Sequence, residues 1–168
     1  GVGVSVVNAL SDRLEVEVAR GKMLYRQVFS RGVPQGPLET VGPVANRRGT
    51  RVRFHPDPQI FGEHAKFDPG RIFRMARSKA YLFSGVEIRW RCDPSMLEEG
   101  SKIPAEEVIR FPGGLKDFLD SAMKDRKTIT DNSFHGKTDL PDNQGRVEFA
   151  ITWPFDGEGF SHSYCNTI

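Results

Sequence analysis

Cysteine is scarce in this sequence: Cys92 and Cys165 are its two copies, far apart, with no C-x-x-C pairing and no histidine at ligand spacing. Neither a disulfide framework nor a zinc site is indicated, and both read as free thiols of a reducing cytoplasm. Long hydrophobic runs are missing too. No stretch approaches the roughly 18 apolar residues of a spanning helix, so no membrane association is expected, and no secretory signal pattern opens the chain. Charge is nearly balanced, with 24 Lys and Arg against 22 Asp and Glu. A net +2 does not argue for a surface that coats nucleic acid, although local segregation is compatible with it. The four histidines, His55, His64, His135 and His162, are scattered, and none is assigned to a metal or to proton transfer. Trp90, Trp153 and the phenylalanines fall at strand or helix periodicity and read as core, not as an exposed stacking ladder. No internal repeat, heptad or low-complexity segment is present.

What remains is ordinary globular material. A chain of 168 residues, 38% hydrophobic and 27% charged, buries one substantial core and part of a second. Its first eleven residues, Gly1-Val2-Gly3-Val4-Ser5-Val6-Val7-Asn8-Ala9-Leu10-Ser11, run from a G-x-G turn straight into a helical pattern. Unpaired amides at a helix start attract anions, and glycine lets a phosphate oxygen reach the backbone. On its own, G-x-G before a helix is more often only a tight turn. An opening Gly with Ser four residues on also fits N-myristoylation, but Val2, Val6 and Leu10 continue as a helix face, which favours an interior segment.

Leu14, Val16 and Val18 then alternate with Glu15, Glu17 and Ala19, the period of a half-buried strand. Arg20-Gly21-Lys22 turns the chain into a returning strand over 23–29, and two prolines and two glycines over 32–37 end the hairpin. Residues 38–44 read as a short edge strand. Val52 and Phe54 alternate with Arg51 and Arg53 in another strand, which Pro56 and Pro58 stop. Phe67-Asp68-Pro69-Gly70 signals a helix with Asp68 as N-cap and Pro69 at its first position. Ile72, Met75, Ala76, Ala80 and Phe83 form its expected buried face, and Gly85 its C′ glycine. Arg71, Arg74 and Arg77 read as a solvated face, with DNA contact the less common alternative. Strands follow over 86–90 and 108–111 around a long polar loop, 93–107. Pro112-Gly113-Gly114 is the best boundary, leading into a short helix with Leu115, Phe118, Leu119 and Met123 on one side. Three further strands are expected over 134–140, 146–153 and 161–168.

The eleven opening residues closely resemble the second glycine motif and following helix of the B subunits of bacterial type IIA DNA topoisomerases. The resemblance continues through Gly32-Val33-Pro34-Gln35-Gly36-Pro37-Leu38, Arg48-Gly49-Thr50-Arg51-Val52-Arg53-Phe54, Gly85-Val86-Glu87-Ile88 and Gly113-Gly114-Leu115-Lys116-Asp117-Phe118-Leu119. Within that family, His55-Pro56-Asp57, the Met75-Ala76-Arg77-Ser78-Lys79-Ala80 helix and Ser163-Tyr164-Cys165-Asn166-Thr167-Ile168 resemble topoisomerase IV more than gyrase B, which is the alternative.

The resemblance implies an α+β chain: part of a GHKL (Bergerat-type) ATPase domain, a mixed sheet backed by helices, over 1–112, then the start of a transducer domain with a small α/β fold over 113–168. It implies that Gly1, Val2 and Gly3 contact ATP phosphates through the backbone, that Val4 and Val52 wall the nucleotide pocket, and that Thr50 hydrogen-bonds the adenine edge. Arg20 matches the arginine at the pocket mouth that coumarin-type inhibitors engage, with Thr50 beside it in the same site. The first glycine motif, the acidic general base that activates water, the magnesium-binding asparagine and the adenine-binding aspartate lie upstream of Gly1 in the family, and the transducer lysine lies downstream of Ile168. No catalytic residue or metal ligand is therefore assigned here, and the chain alone is expected not to turn over ATP. Further implications are Mg2+ with the nucleotide, an ATP-dependent homodimer, the topoisomerase IV A subunit and DNA as partners, and a cytoplasmic, nucleoid-associated bacterial location. The reading of another class is a non-catalytic interaction module that keeps part of a nucleotide site and associates through strand edges.

Overall fold

In the computed structural model, residues 2–166 are described. They form two compact units that divide between Lys66 and Phe67. Helix α1 (Gly3–Ala9) opens the first, followed by β1 (Ser11–Arg20), β2 (Met23–Ser30), β3 (Val33–Pro34), β4 (Glu39–Pro43), β5 (Gly49–Pro56) and α2 (Pro58–Phe61). The second holds α3 (Pro69–Leu82), β6 (Glu87–Arg91), β7 (Glu106–Arg110), α4 (Leu115–Met123), β8 (Phe134–Asp139) and β9 (Arg146–Ile151). Every strand pairing among the described residues is antiparallel.

In the first unit β1 is the central strand, with β2 on one side and β5 on the other, while β3 and β4 both pair with β2. The β1–β2 hairpin turns at Gly21 and Lys22, whose φ values of 60° and 62° suit a two-residue turn that matches the strand twist. The far end of the sheet is tied by an ion pair between a buried carboxylate and a half-exposed arginine. Asp57 accepts from Arg31 at 2.5 Å and 3.2 Å and caps α2 through the Gln59 N–H at 3.0 Å. The Arg31 guanidinium, then the Gln59 amide, hold the Asp57 carboxyl below the usual carboxylate range.

Two expectations fail in this unit. Val2, Val6 and Leu10 do not form a buried helix face: α1 buries none of its residues, and these three are 76%, 49% and 36% exposed. At seven residues the helix is under two turns, and it meets the sheet at its C-terminal end, where the Ser11 hydroxyl donates to the Val7 carbonyl. Nor does β1 bury only its apolar residues. Leu14 is buried, but so are Glu17 and Ala19 on the other face, because Arg47 and Arg51 fold over Glu17 at 2.8 Å and 3.0 Å.

In the second unit the helix start is as the residues dictate: Asp68 caps α3 by accepting the Arg71 N–H at 3.0 Å, with Pro69 first in the helix. The buried face, however, is Phe73, Ala80 and Tyr81, while Met75 and Phe83 are exposed. An aromatic core draws the helix round: Phe73 meets Trp90 edge-on at 5.4 Å, and Tyr81 stacks on Phe118 at 4.1 Å. Burial, then the Tyr164 hydroxyl, push the Tyr81 phenol above its ordinary range, so it stays protonated. Arg77 lies over the Phe73 and Phe111 rings at 5.9 Å and 5.7 Å and roofs this core. Gly85, φ +96°, is not the C′ residue as expected: α3 is capped at Phe83, and Gly85 sits one position beyond C′ in a turn closed by the Val86 N–H to the Phe83 carbonyl.

Trp90 joins the core and donates to the Pro104 carbonyl at 2.8 Å, spanning the 93–107 loop, whereas Trp153, Phe134 and Phe155 are exposed. Helix α4 buries Leu119 and Met123 as expected. No strand forms over 161–166, where the chain instead returns to put Tyr164 on Tyr81, the two hydroxyls 2.5 Å apart.

Candidate functional site

The site expected from Thr50 lies on one face of the first sheet, and strand register decides what shares it. Thr50 is opposite Val18 and Val52 opposite Val16 across β1 and β5. Val18 in turn faces Tyr25, and Arg20 faces Met23, across β1 and β2. Directly opposed residues project to the same side, as do residues two apart. Arg20, Val18, Val16, Thr50, Val52, Tyr25 and Met23 therefore form one continuous face. Gly49, at φ +114° opposite Ala19, brings the chain into β5 with open space where a Cβ would stand.

The chemistry of this face is a largely apolar wall with Thr50 and Arg20 toward one end, and with Gln27, opposite Val16, donating to the Gly36 carbonyl at 2.7 Å. Val52 is 43% exposed and Val16 and Val18 are half-buried. Among the described residues, neither the Thr50 hydroxyl nor the Arg20 guanidinium has a protein hydrogen-bond or ion-pair partner. A rigid strand thus presents a small donor–acceptor group, with a planar five-donor fork at the end of the adjoining strand. Such a surface suits a flat heteroaromatic ligand with polar edges.

The reverse face differs completely. Arg47, Arg51, Arg13, Glu15 and Glu17 form a ladder of ion pairs there, and Arg26 holds Glu39 bidentately. The Arg47 hydrogen bond, against a smaller desolvation effect, lowers the Glu17 carboxyl from its ordinary value. Every partner in that ladder is spent internally, which makes it a surface of arginines folded over largely covered carboxylates.

The other expected residues are distributed less tightly. Gly1 lies outside the described residues. Val2 occupies the N-cap position of α1, Gly3 is the first helical residue, and Val4 follows at 64% exposure. Among the described residues, the first bond of this helix runs from the Val6 N–H to the Val2 carbonyl at 3.0 Å, with the Gly3, Val4 and Ser5 amides ahead of it. Among the described residues, no hydrogen bond joins this turn to Thr50, Val52 or Arg20. Nor is any group of three His, Cys, Asp or Glu among them placed to hold a metal ion. Val16, Val18 and Tyr25 carry no signal of a site role in the sequence, since cross-strand register alone puts them beside Thr50.

No protein-family model matches the chain. Over its whole length, however, it is 58% identical to the B subunit of DNA topoisomerase 4 from Bartonella bacilliformis and 51% identical to that from Caulobacter vibrioides, covering 24% of each. The chain thus spans about a quarter of the length of these relatives. Among solved structures it is similar to the 43K ATPase domain of Thermus thermophilus gyrase B in complex with an aminocoumarin, with a TM-score of 0.72 and 35% identity over 90% of this chain and 39% of that one. A B subunit of the DNA gyrase from Myxococcus xanthus matches with a TM-score of 0.72 and 25% identity over 89% of this chain and 41% of that one. The chain is thus similar along its whole length to a stretch of topoisomerase IV B subunits, in an α+β fold that matches the GHKL ATPase domain of gyrase B.

Proposed function

We propose that this chain supplies part of the ATP site of a topoisomerase IV B subunit, in which ATP binding closes a dimer gate and drives decatenation and relaxation of DNA. The observation that carries the reading is the shared face of Arg20, Thr50 and Val52, established by the pairing of Thr50 with Val18 and Val52 with Val16. Thr50 offers its hydroxyl to the adenine edge, Val52 and Val4 wall the base, and the backbone of Gly1, Val2 and Gly3 contacts phosphate. Arg20 stands at the mouth, where with Thr50 it takes coumarin-type inhibitors. The gyrase B structure that this chain resembles was solved with an aminocoumarin.

The residues present fit a nucleotide as far as they go: an unpartnered hydroxyl and an exposed arginine on an apolar strand face suit a heteroaromatic base. ATP with Mg2+ supplies the phosphoanhydride chemistry, and this chain is given no metal ligand and no catalytic base. Its own residues bind and orient. The partners in this reading are a second B subunit, the topoisomerase IV A subunit and DNA, in the bacterial cytoplasm at the nucleoid. Residues up to Pro112 belong to the nucleotide-binding part and 113–168 begin the transducer.

Calorimetric titration of a full-length B subunit carrying this sequence, with a non-hydrolysable ATP analogue and magnesium, tests the assignment. Thr50→Ala is expected to weaken binding about tenfold, the scale of a lost ligand hydrogen bond with its desolvated partner. Arg53→Ala, on the reverse face, leaves the affinity unchanged. Equal effects of the two substitutions, or none from Thr50→Ala, would remove Thr50 from the site.

A further inference from the structure

Helix α4 starts without a side-chain cap. Its N-cap residue is Gly114, at φ 66° and ψ −132°, which brings no acceptor to the first-turn amides. Two carboxylates take that place. Asp117, in the first turn, reaches back so that the Gly113 N–H donates to its Oδ2 at 2.6 Å. Glu148, from β9, accepts the Leu115 N–H through Oε1 at 3.1 Å. The second oxygen of Glu148 is 3.5 Å from Nζ of Lys137, which stands directly opposite it in the β8–β9 register. Its charge is thereby held between the positive end of the helix and an ammonium group.

The two glycines are the complement of these carboxylates. A Cβ on Gly114 would run into Oε1 of Glu148 and stand 3.5 Å from the Tyr81 carbonyl oxygen. One on Gly113 would meet the Asp117 carboxylate, 2.7 Å from its Cγ. Consecutive glycines are the most freely rotating link a chain can contain. Here that freedom is removed from outside, by a side chain on another element.

We infer that Glu148 is a positioning residue: it latches the Gly113-Gly114 link by tying the N-terminus of α4 to the β8–β9 hairpin. Its consequence rests on the proposed function, in which this link joins the nucleotide-binding part to the transducer. With the latch made, movement of the segment before Pro112 is passed to α4 and the hairpin together. With it broken, the glycines absorb that movement locally.

Hydrogen–deuterium exchange on the full-length protein reads the latch directly. Glu148→Ala raises exchange about five- to tenfold at residues 113–119 and leaves α3, β6 and β7 as they were, in keeping with a lost helix cap. Glu148→Gln, which keeps a carbonyl oxygen for the Leu115 amide, stays within about twofold of the parent. Parental exchange at 113–119 in Glu148→Ala, or a uniform rise over 67–166, overturns the latch. In the complex with the A subunit, Glu148→Ala lowers DNA passage per ATP hydrolysed severalfold while KM for ATP holds. An unchanged ratio in a protein with the local exchange pattern overturns the coupling role. A parent protein with no ATP turnover contradicts the topoisomerase reading itself, and the exchange pattern then still decides the latch.

Discussion

Asp57 shows how one side chain carries several jobs at once. It is 1% exposed, it caps α2, it receives Arg31 bidentately, and its own amide donates to the Leu10 carbonyl at 3.0 Å. Its folded-state pKa lies below the unfolded value, so its contribution to stability is complete above the ordinary carboxylate range and is lost as pH falls through the folded value. Urea unfolding between pH 6 and pH 3 is therefore expected to show a smaller acid loss in Asp57→Asn than in the parent, from a lower starting stability. Parallel pH profiles would show that Asp57 contributes nothing in this window. Ile109 is a simpler case. At 2% exposure in the core with Phe73 and Tyr81, Ile109→Ala should cost about 2–5 kcal/mol, measured as a shift in the urea midpoint. A loss under about 1 kcal/mol would mean that the site collapses around the cavity.

At the scale of elements, local signals are the legible ones. The β1–β2 hairpin, the Asp68 and Pro69 start of α3 and the apolar side of α4 all follow from residues adjacent in sequence. Faces that depend on distant partners are not legible. The periodicity of α3 favours Met75 and Phe83, but the aromatic ring of Trp90 and the ring stack of Tyr81 on Phe118 select Phe73 and Tyr81 instead. Likewise nothing near Glu17 announces that Arg47, thirty residues away, will cover it. The candidate site divides in the same way. Thr50, Val52 and Arg20 follow from the family resemblance, while their shared face, with Val18 and Tyr25, requires strand register. That face predicts an orientation effect: Val18→Glu, opposite Thr50, should abolish binding of the ATP analogue, whereas Arg51→Glu, on the reverse face, alters stability through its pairs with Glu15 and Glu17 and leaves affinity within about twofold. Calorimetry on correctly folded protein separates the two, and a strong affinity loss from Arg51→Glu would place the ligand on the opposite side of the sheet.

For the whole molecule, the compact units divide between Lys66 and Phe67, while the functional boundary proposed from the family lies at Pro112, inside the second unit. The two divisions describe different things: chain compactness in one case, and in the other the point at which a nucleotide-binding part hands over to a transducer. The central claim concerns the protein that contains both, a topoisomerase IV B subunit that uses ATP held in part by this chain. Its most direct measurement is strand passage by the full-length protein reconstituted with the A subunit on catenated and relaxed circular DNA. The expected result is ATP-dependent separation of the catenanes, no negative supercoiling of the relaxed circles, and an ATP requirement raised about tenfold with Thr50→Ala. Supercoiling of the relaxed circles, or decatenation that proceeds equally well without ATP, would contradict it.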